Sequence, residues 1–232
     1  MNEGHVQACP WSGLEPSIMS FCEQRLCGWI VEPANTWSNI GYIIVGVLIL
    51  RANAGTHRPA LSLTGLTAIL VGLGSAFFHG TGTRIGEILD LSAMYLISGL
   101  FVAFNVRRLL GWSDRWLAIL YVVLCGSSMW ALVAWQSSGI RLFAVHITIA
   151  AVLEILTFRK NTTPTSYRYL GYLCGAFAIS YTVWLLDVTK TVCWPDNHVL
   201  GGHAIWHLTN STCLWSFYRY QEQFYSPGQR LQ

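Results

Sequence analysis

The chain contains seven apolar segments, each close to the roughly 20 residues that an α-helix needs to cross a bilayer. They cover residues 36–51, 61–80, 86–106, 115–136, 140–158, 167–187 and 198–218. Only 11% of the 232 residues are charged, which is less than half of the roughly 25% found in soluble domains. We therefore predict an all-α integral membrane protein with a single seven-transmembrane-helix bundle. A soluble all-α protein is the alternative.

The basic residues predict the orientation of this bundle, because Lys and Arg collect on the cytoplasmic side. One side holds ten of them: Arg51, Arg58, Arg107, Arg108, Arg115, Arg159, Lys160, Arg168, Arg219 and Arg230. The other side holds four: Arg25, Arg84, Arg141 and Lys190. We expect an extracytoplasmic N-terminal segment (1–35), a transmembrane domain (36–218) and a cytoplasmic tail (219–232). The basic residues form no patch interleaved with aromatic residues, so nucleic acid is not an expected partner.

The cysteines are consistent with an outer N-terminus. Four of the seven fall on the predicted outer side: Cys9, Cys22, Cys27 and Cys193. An oxidising outer compartment allows a disulfide between the N-terminal segment and the loop after the sixth helix, for example Cys22 with Cys193. Free thiols are the alternative.

Ionisable groups inside membrane spans are costly, so each is a candidate functional group. Three stretches hold nearly all of them: GLGSAFFH at 72–79, EILDLSAM at 87–94 and HAIWH at 203–207. The predicted topology places all three in the outer half of the bundle. The topology is predicted from the basic residues and not from the histidines. The common depth of the three stretches is therefore partly independent support for a single site. Gly72 and Gly74 are expected to let a neighbouring helix approach closely.

The histidines of these stretches predict a metal site. His203 and His207 are four residues apart, so they share one helix face with the spacing of the zinc ligands in HExxH. With His79 they supply the three protein ligands of a catalytic zinc site, whose fourth position is open. The Glu of that motif is absent, so the general base must come from another helix, and Asp90 is the candidate. Ser75, one turn before His79, is a candidate for stabilising the oxyanion.

The remaining buried or interfacial polar residues have simpler interpretations. Hydrogen bonding between helices is the alternative to metal binding for any membrane histidine, and it is the expected role of His146. His198 is an alternative metal ligand. Glu154 is expected to pair with a basic residue such as Arg159, and Asp187 is expected to cap the end of the sixth helix and meet water.

The segment before the first helix offers oxygen ligands. Glu23, Glu32, Asn35 and Asn39 precede or open that helix, and a hard cation such as Ca²⁺ binds through oxygen atoms. The alternative is that the carboxylates are solvated and that the polar residues cap the helix, with Asn35, Thr36 or Ser38 as the cap.

These motifs together resemble the alkaline ceramidase family. The resemblance rests on CE…EPANTWSN (Cys22–Asn39), GLGSAFFHGT (Gly72–Thr81), Asp90 followed by Met94, and HAIWH. That family belongs to a wider superfamily of seven-helix membrane hydrolases, which includes the adiponectin/progestin receptors. The resemblance implies zinc held by the three histidines, with Ser75 and Asp90 as catalytic partners. It also implies hydrolysis of the ceramide amide to a sphingoid base and a fatty acid.

The chain departs from the family pattern at two places. Ser20 stands where the family's calcium-binding stretch has an acid, and Arg25 brings a positive charge to that stretch. Leu91–Ala93 replace the Glu-Leu-Pro that often follows the aspartate in the family.

We therefore expect a zinc-dependent hydrolase whose active site faces the extracytoplasmic side and whose lipid substrate comes from the bilayer. Two alternatives stay open: a zinc-containing lipid receptor or binding protein without turnover, and a metal-free scaffold with hydrogen-bonded histidines.

Overall fold

The computed structural model describes residues 8–56, 58–135, 139–160 and 164–225. These residues form an all-helical protein. Its helices are α1 (Pro33–Trp37), α2 (Ile40–Asn53), α3 (Pro59–Thr81), α4 (Arg84–Leu110), α5 (Asp114–Ala134), α6 (Gly139–Lys160), α7 (Arg168–Val188) and α8 (Gly202–Glu222). Each predicted apolar segment corresponds to one long helix, except that the first is divided between α1 and α2.

The division between α1 and α2 has a local cause. Pro33 opens α1, a position where its missing N–H costs no hydrogen bond. The Ser38 hydroxyl and the Asn39 amide both donate to the main-chain oxygen of Asn35. Such side-chain bonds compete with the regular helical pattern, so the chain makes a turn before α2 begins.

Six helical stretches of the described chain are long and apolar enough to cross a membrane: α1 with α2, α3, α4, α5, α6 and α7. The last helix, α8, is long enough but more polar, because its inward-facing positions carry histidine, serine and glutamine. It begins at Gly202, later than the sequence predicted. The seventh span and the orientation of the termini therefore stay predictions.

The outer surface of the bundle is apolar, as expected for a lipid-facing surface. On α5, Val122, Val123, Trp130 and Val133 are exposed. Side chains of this kind gain nothing from burial when the surrounding solvent is lipid. Their exposure on a transmembrane-length helix supports the membrane location.

Helix α4 lies at the centre of one half of the bundle, where α3, α5 and α6 pack against it, while α7 packs mainly on α8. Helices α2 and α3 cross closely at Gly46 and Gly65, since a Cβ on Gly46 would lie 2.6 Å from the Gly65 oxygen. This close crossing fixes the position of α3, which carries His79.

The segment before α1 covers the end of α3. The backbone N–H groups of Val31 and Glu32 donate to the carbonyl oxygens of Gly80 and His79, at 2.9 and 3.0 Å. The last carbonyls of a helix lack partners within the helix, so the segment supplies the missing donors. Two disulfides hold the segment: Cys9–Cys27 and Cys22–Cys193.

Candidate active site

Three histidines meet at one end of the bundle. His79 lies in the last turn of α3, and His203 and His207 lie in the first two turns of α8. All three are buried, and one ring nitrogen of each lies within 4.8 Å of the others. The structure thus brings together the three residues that the sequence predicted as metal ligands.

Two of these rings are hydrogen-bonded through Nδ1, and a neutral imidazole that donates from Nδ1 has Nε2 available as a metal ligand. The Ser38 hydroxyl donates to Asn35, so its oxygen accepts from Nδ1 of His207 at 2.9 Å. Nδ1 of His79 donates to the Glu32 carboxylate at 2.7 Å. Partners of this kind fix the tautomer and orientation of metal-binding histidines. The sequence alone predicts Ser38 only as a helix cap.

The arrangement fits a zinc ion. Nε2 of His79 lies 3.2 Å from Nε2 of His203, so these two atoms either share one proton in a hydrogen bond or bind one cation together. Three neutral imidazoles are the ligand set of one class of catalytic zinc site.

Asp90 and Ser75 lie beside the histidines. The Ser75 hydroxyl lies 3.4 Å from Nε2 of His207, and Asp90 lines the same cavity as these two residues. Asp90 reaches this position because α4 begins next to the end of α3, where the Thr83 side chain accepts from Gly86 N. A carboxylate and a hydroxyl therefore stand next to the candidate metal ligands.

Glu32 joins the N-terminal segment to this site. One carboxylate oxygen accepts from His79, and the other accepts from Nε of Arg25 at 3.1 Å. Burial raises the pKa of the Glu32 carboxyl, but the hydrogen bond from His79 and the neighbouring positive charge outweigh it. The pKa therefore lies below its ordinary value. Glu32 stays ionised and accepts hydrogen bonds from both sides.

The residues predicted as calcium ligands are engaged by other groups. Glu23 accepts from the N–H groups of Ala34 and Asn35 and from His198, so it caps the start of α1. Glu32 accepts from Asn35 as well as from Arg25 and His79.

Amide oxygens of Asn35 and Asn39 are buried without a partner among the described residues. Two amide oxygens fall short of the six to eight ligands that Ca²⁺ takes. The four predicted ligands therefore do not fit a Ca²⁺ site while the carboxylates of Glu23 and Glu32 keep their present partners.

The environment of Asp187 differs from the one expected from the sequence. Asp187 was expected to meet water at the end of its helix, but it is buried and accepts from the backbone N–H groups of Cys22 and His203, at 2.9 and 3.0 Å. It therefore caps the start of α8 from a different helix. Beside it, Phe21 stacks on the His203 ring at a centroid distance of 3.8 Å. Nothing in the local sequence signals these contacts, because they depend on the path of the N-terminal segment.

A cavity of about 420 Å³ opens from this site into the bundle. Asp90 and His207 line one end, and Gln221 lines the other, near the opposite end of α8. Between them the wall is mostly apolar, with Phe143 from α6 and Phe177 from α7. The space suits a long apolar chain with its polar group next to the histidines.

Two other polar residues lie away from the histidine cluster. His146 is buried between the hydroxyls of Ser98 and Ser128, as expected for a structural histidine. Glu154 pairs with a basic residue, as expected, but the partner is Arg108 at 2.6 Å and not Arg159. Arg108 approaches from α4, a contact that sequence proximity does not reveal.

The fold and the site together define an all-helical membrane protein with a buried histidine cluster at one end of an apolar cavity. The sequence model of the ceramidase family, described as Ceramidase, matches residues 13–227. The chain therefore belongs to the ceramidase family, and the expected resemblance is confirmed. It is a hydrolase that acts on an amide bond.

Two curated proteins are similar over most of the chain. "Alkaline ceramidase" from Drosophila melanogaster is 22% identical over 219 residues, covering 88% of this chain and 76% of that protein. "Alkaline ceramidase 1" from Homo sapiens is 22% identical over 207 residues, covering 84% of this chain and 77% of that protein.

Proposed function

We propose that this protein is a zinc-dependent lipid amidase that hydrolyses ceramide to a sphingoid base and a free fatty acid. One observation carries the proposal: a cluster of three buried histidines stands beside a carboxylate at the end of a long apolar cavity. The names of the two curated relatives support ceramide as the substrate.

In the proposed site, His79, His203 and His207 hold zinc. When bound, zinc polarises the amide carbonyl and lowers the pKa of water. The Asp90 carboxylate accepts a proton from the attacking water and passes it to the amide nitrogen as the carbon–nitrogen bond breaks. The Ser75 hydroxyl donates to the oxygen that becomes negative as the tetrahedral intermediate forms. The products are a free amine and a carboxylic acid, so the atoms of one water are fully used.

The cavity supports a lipid as the substrate. Its apolar walls come from α6 and α7, and these helices pack mainly on α4 and α8. A hydrocarbon chain from the bilayer can lie in this space while its amide reaches Asp90. A soluble peptide offers no matching apolar chain.

The disulfides support an extracytoplasmic site. Cys22–Cys193 and Cys9–Cys27 both lie at the histidine end of the bundle, and disulfides persist in oxidising compartments. The charge count of the sequence predicts the same end to lie outside the cytoplasm.

Turnover of labelled ceramide by the purified protein tests this function. We expect release of fatty acid by the natural chain and a fall of about 10²- to 10⁴-fold in Asp90→Asn, the range of general acid–base contributions. Asp90→Asn should retain one zinc per chain, whereas His207→Ala should lose zinc and activity together.

Related lipid amides and esters, run in parallel, define the substrate class. Zinc without turnover of any lipid would instead favour the receptor alternative. Equal turnover by Asp90→Asn would remove Asp90 from the mechanism.

A further inference from the structure

Arg25 is tied to the candidate metal site through a single intermediate residue. Its Nε donates to Glu32, and its Nη2 donates to the Ser17 hydroxyl and, at 2.7 Å, to the Met19 carbonyl oxygen. Three acceptors on a planar guanidinium leave little freedom of orientation. The guanidinium is therefore held in place by the segment that covers the site.

Glu32 passes this constraint to His79. Its Oε1 accepts from Arg25, and its Oε2 accepts from Nδ1 of His79 and from the Asn35 amide. Among the residues that the structure describes, Arg25 is the only arginine or lysine paired with Glu32. A guanidinium does not lose its proton in proteins, so this partner keeps its charge at every working pH.

We propose that Arg25 is a positioning residue of the metal site: its guanidinium holds Glu32, and Glu32 orients the His79 ring so that Nε2 faces the metal. The proposal rests on the proposed zinc site. The hydrogen-bond partners of metal-binding histidines tune metal affinity as well as activity. The role of Arg25 can therefore be tested by zinc binding, without a lipid.

The competing explanation is an ordinary ion pair. The side chain of Arg25 is 32% exposed, and exposed ion pairs contribute little to stability. An ordinary pair would leave zinc affinity unchanged when it is removed. Metal affinity therefore separates the two explanations.

The test measures zinc affinity of purified Arg25→Gln by competition with a chromogenic chelator. We expect a loss of about tenfold, the lower end of the range for residues that support metal ligands. The zinc affinity of Arg25→Lys should lie between those of the natural chain and Arg25→Gln, because an ammonium keeps the charge but not the fork of donors. The absorption spectrum of the Co²⁺-substituted protein should shift in Arg25→Gln, since the geometry at His79 changes.

Arg219→Gln is the matched control. Arg219 pairs with Glu222 at 2.8 Å and has a 37% exposed side chain, but it lies at the far end of α8. It should leave zinc affinity and the Co²⁺ spectrum unchanged. Added Ca²⁺ should not alter the zinc affinity of the natural chain, because the guanidinium already holds Glu32.

Three results would overturn the proposal: zinc affinity within twofold of the natural chain in Arg25→Gln, an equal loss in Arg219→Gln, or a gain in the natural chain on adding Ca²⁺. Failure of the proposed function looks different. In that case the natural chain cleaves no ceramide, while zinc affinity still depends on Arg25.

Discussion

The three histidines have different partners, and these partners predict different consequences of substitution. His79 has a carboxylate partner on Nδ1, and His207 has a hydroxyl partner. Nδ1 of His203 has no partner among the described residues, but the ring is stacked on Phe21. One ring is thus oriented by charge, one by a neutral hydrogen bond and one by packing.

Removal of the Ser38 hydroxyl should weaken zinc binding. In Ser38→Ala the His207 ring loses its acceptor and is free to rotate, so zinc affinity should fall by about tenfold. Chelator competition measures this loss. Ser127→Ala, at an exposed position on α5, is the control and should bind zinc like the natural chain. Unchanged affinity in Ser38→Ala would mean that packing alone orients His207.

At the scale of elements, the position of α3 depends on a close approach to the turn between α1 and α2. A Cβ on Gly72 would lie 3.0 Å from the Asn39 oxygen and 2.9 Å from Ile43 Cγ1. The expected role of Gly72 as a contact point is therefore supported. Gly74 has more space, with its nearest neighbour at 3.4 Å.

Gly72→Ala should separate these elements and lower the thermal unfolding midpoint, since overpacking of this kind costs about 1–3 kcal/mol. Gly126→Ala is a matched control on α5, because a Cβ there meets nothing within 4 Å. It should keep or raise the midpoint, as alanine is the better helix former. Equal midpoints for both variants would contradict the close packing at Gly72.

The start of α8 depends on a carboxylate from α7. In Asp187→Asn, one of the two backbone N–H groups, that of Cys22 or that of His203, would face an amide NH₂ instead of an oxygen. We expect a loss of about 2 kcal/mol, the size of a hydrogen bond to a charged group, seen as a lower unfolding midpoint. Zinc affinity should fall with it, because His203 lies at this helix start. A variant with natural stability and affinity would show that Asp187 is not needed as a cap.

At the scale of the whole molecule, the Cys22–Cys193 disulfide joins the N-terminal segment to the loop before α8. It spans 171 residues, whereas Cys9–Cys27 spans 18. Because a longer closed loop gives a larger entropic effect, Cys22→Ser with Cys193→Ser should lower the unfolding midpoint more than Cys9→Ser with Cys27→Ser. Thermal unfolding of the two double variants in one detergent measures the difference. A larger fall in the midpoint for Cys9→Ser with Cys27→Ser would contradict the larger stabilising effect of the Cys22–Cys193 disulfide.

The long helices and the histidine cluster could be predicted from the sequence. Apolar length predicted the long helices, and the four-residue spacing put His203 and His207 on one helix face. The predicted topology put His79 and Asp90 in the same half of the bundle. Long helices carry these signals because their geometry is regular.

Apart from the Cys22–Cys193 disulfide, the contacts of the N-terminal segment did not follow from sequence. Arg25 and Phe21 lie in an irregular segment, and Asp187 contacts that segment at the Cys22 N–H. Ser38 lies in a turn. Irregular backbone has no periodicity that relates sequence spacing to distance. The groups that orient the histidines were therefore found only in three dimensions.

We propose that the buried histidine cluster holds the zinc that makes ceramide hydrolysis possible. The most direct measurement is fatty acid release from labelled ceramide while zinc is titrated into metal-stripped protein. We predict no release without metal and a rise that saturates at one zinc per chain. Full activity in the metal-free protein, or saturation with zinc without any release, would contradict the account.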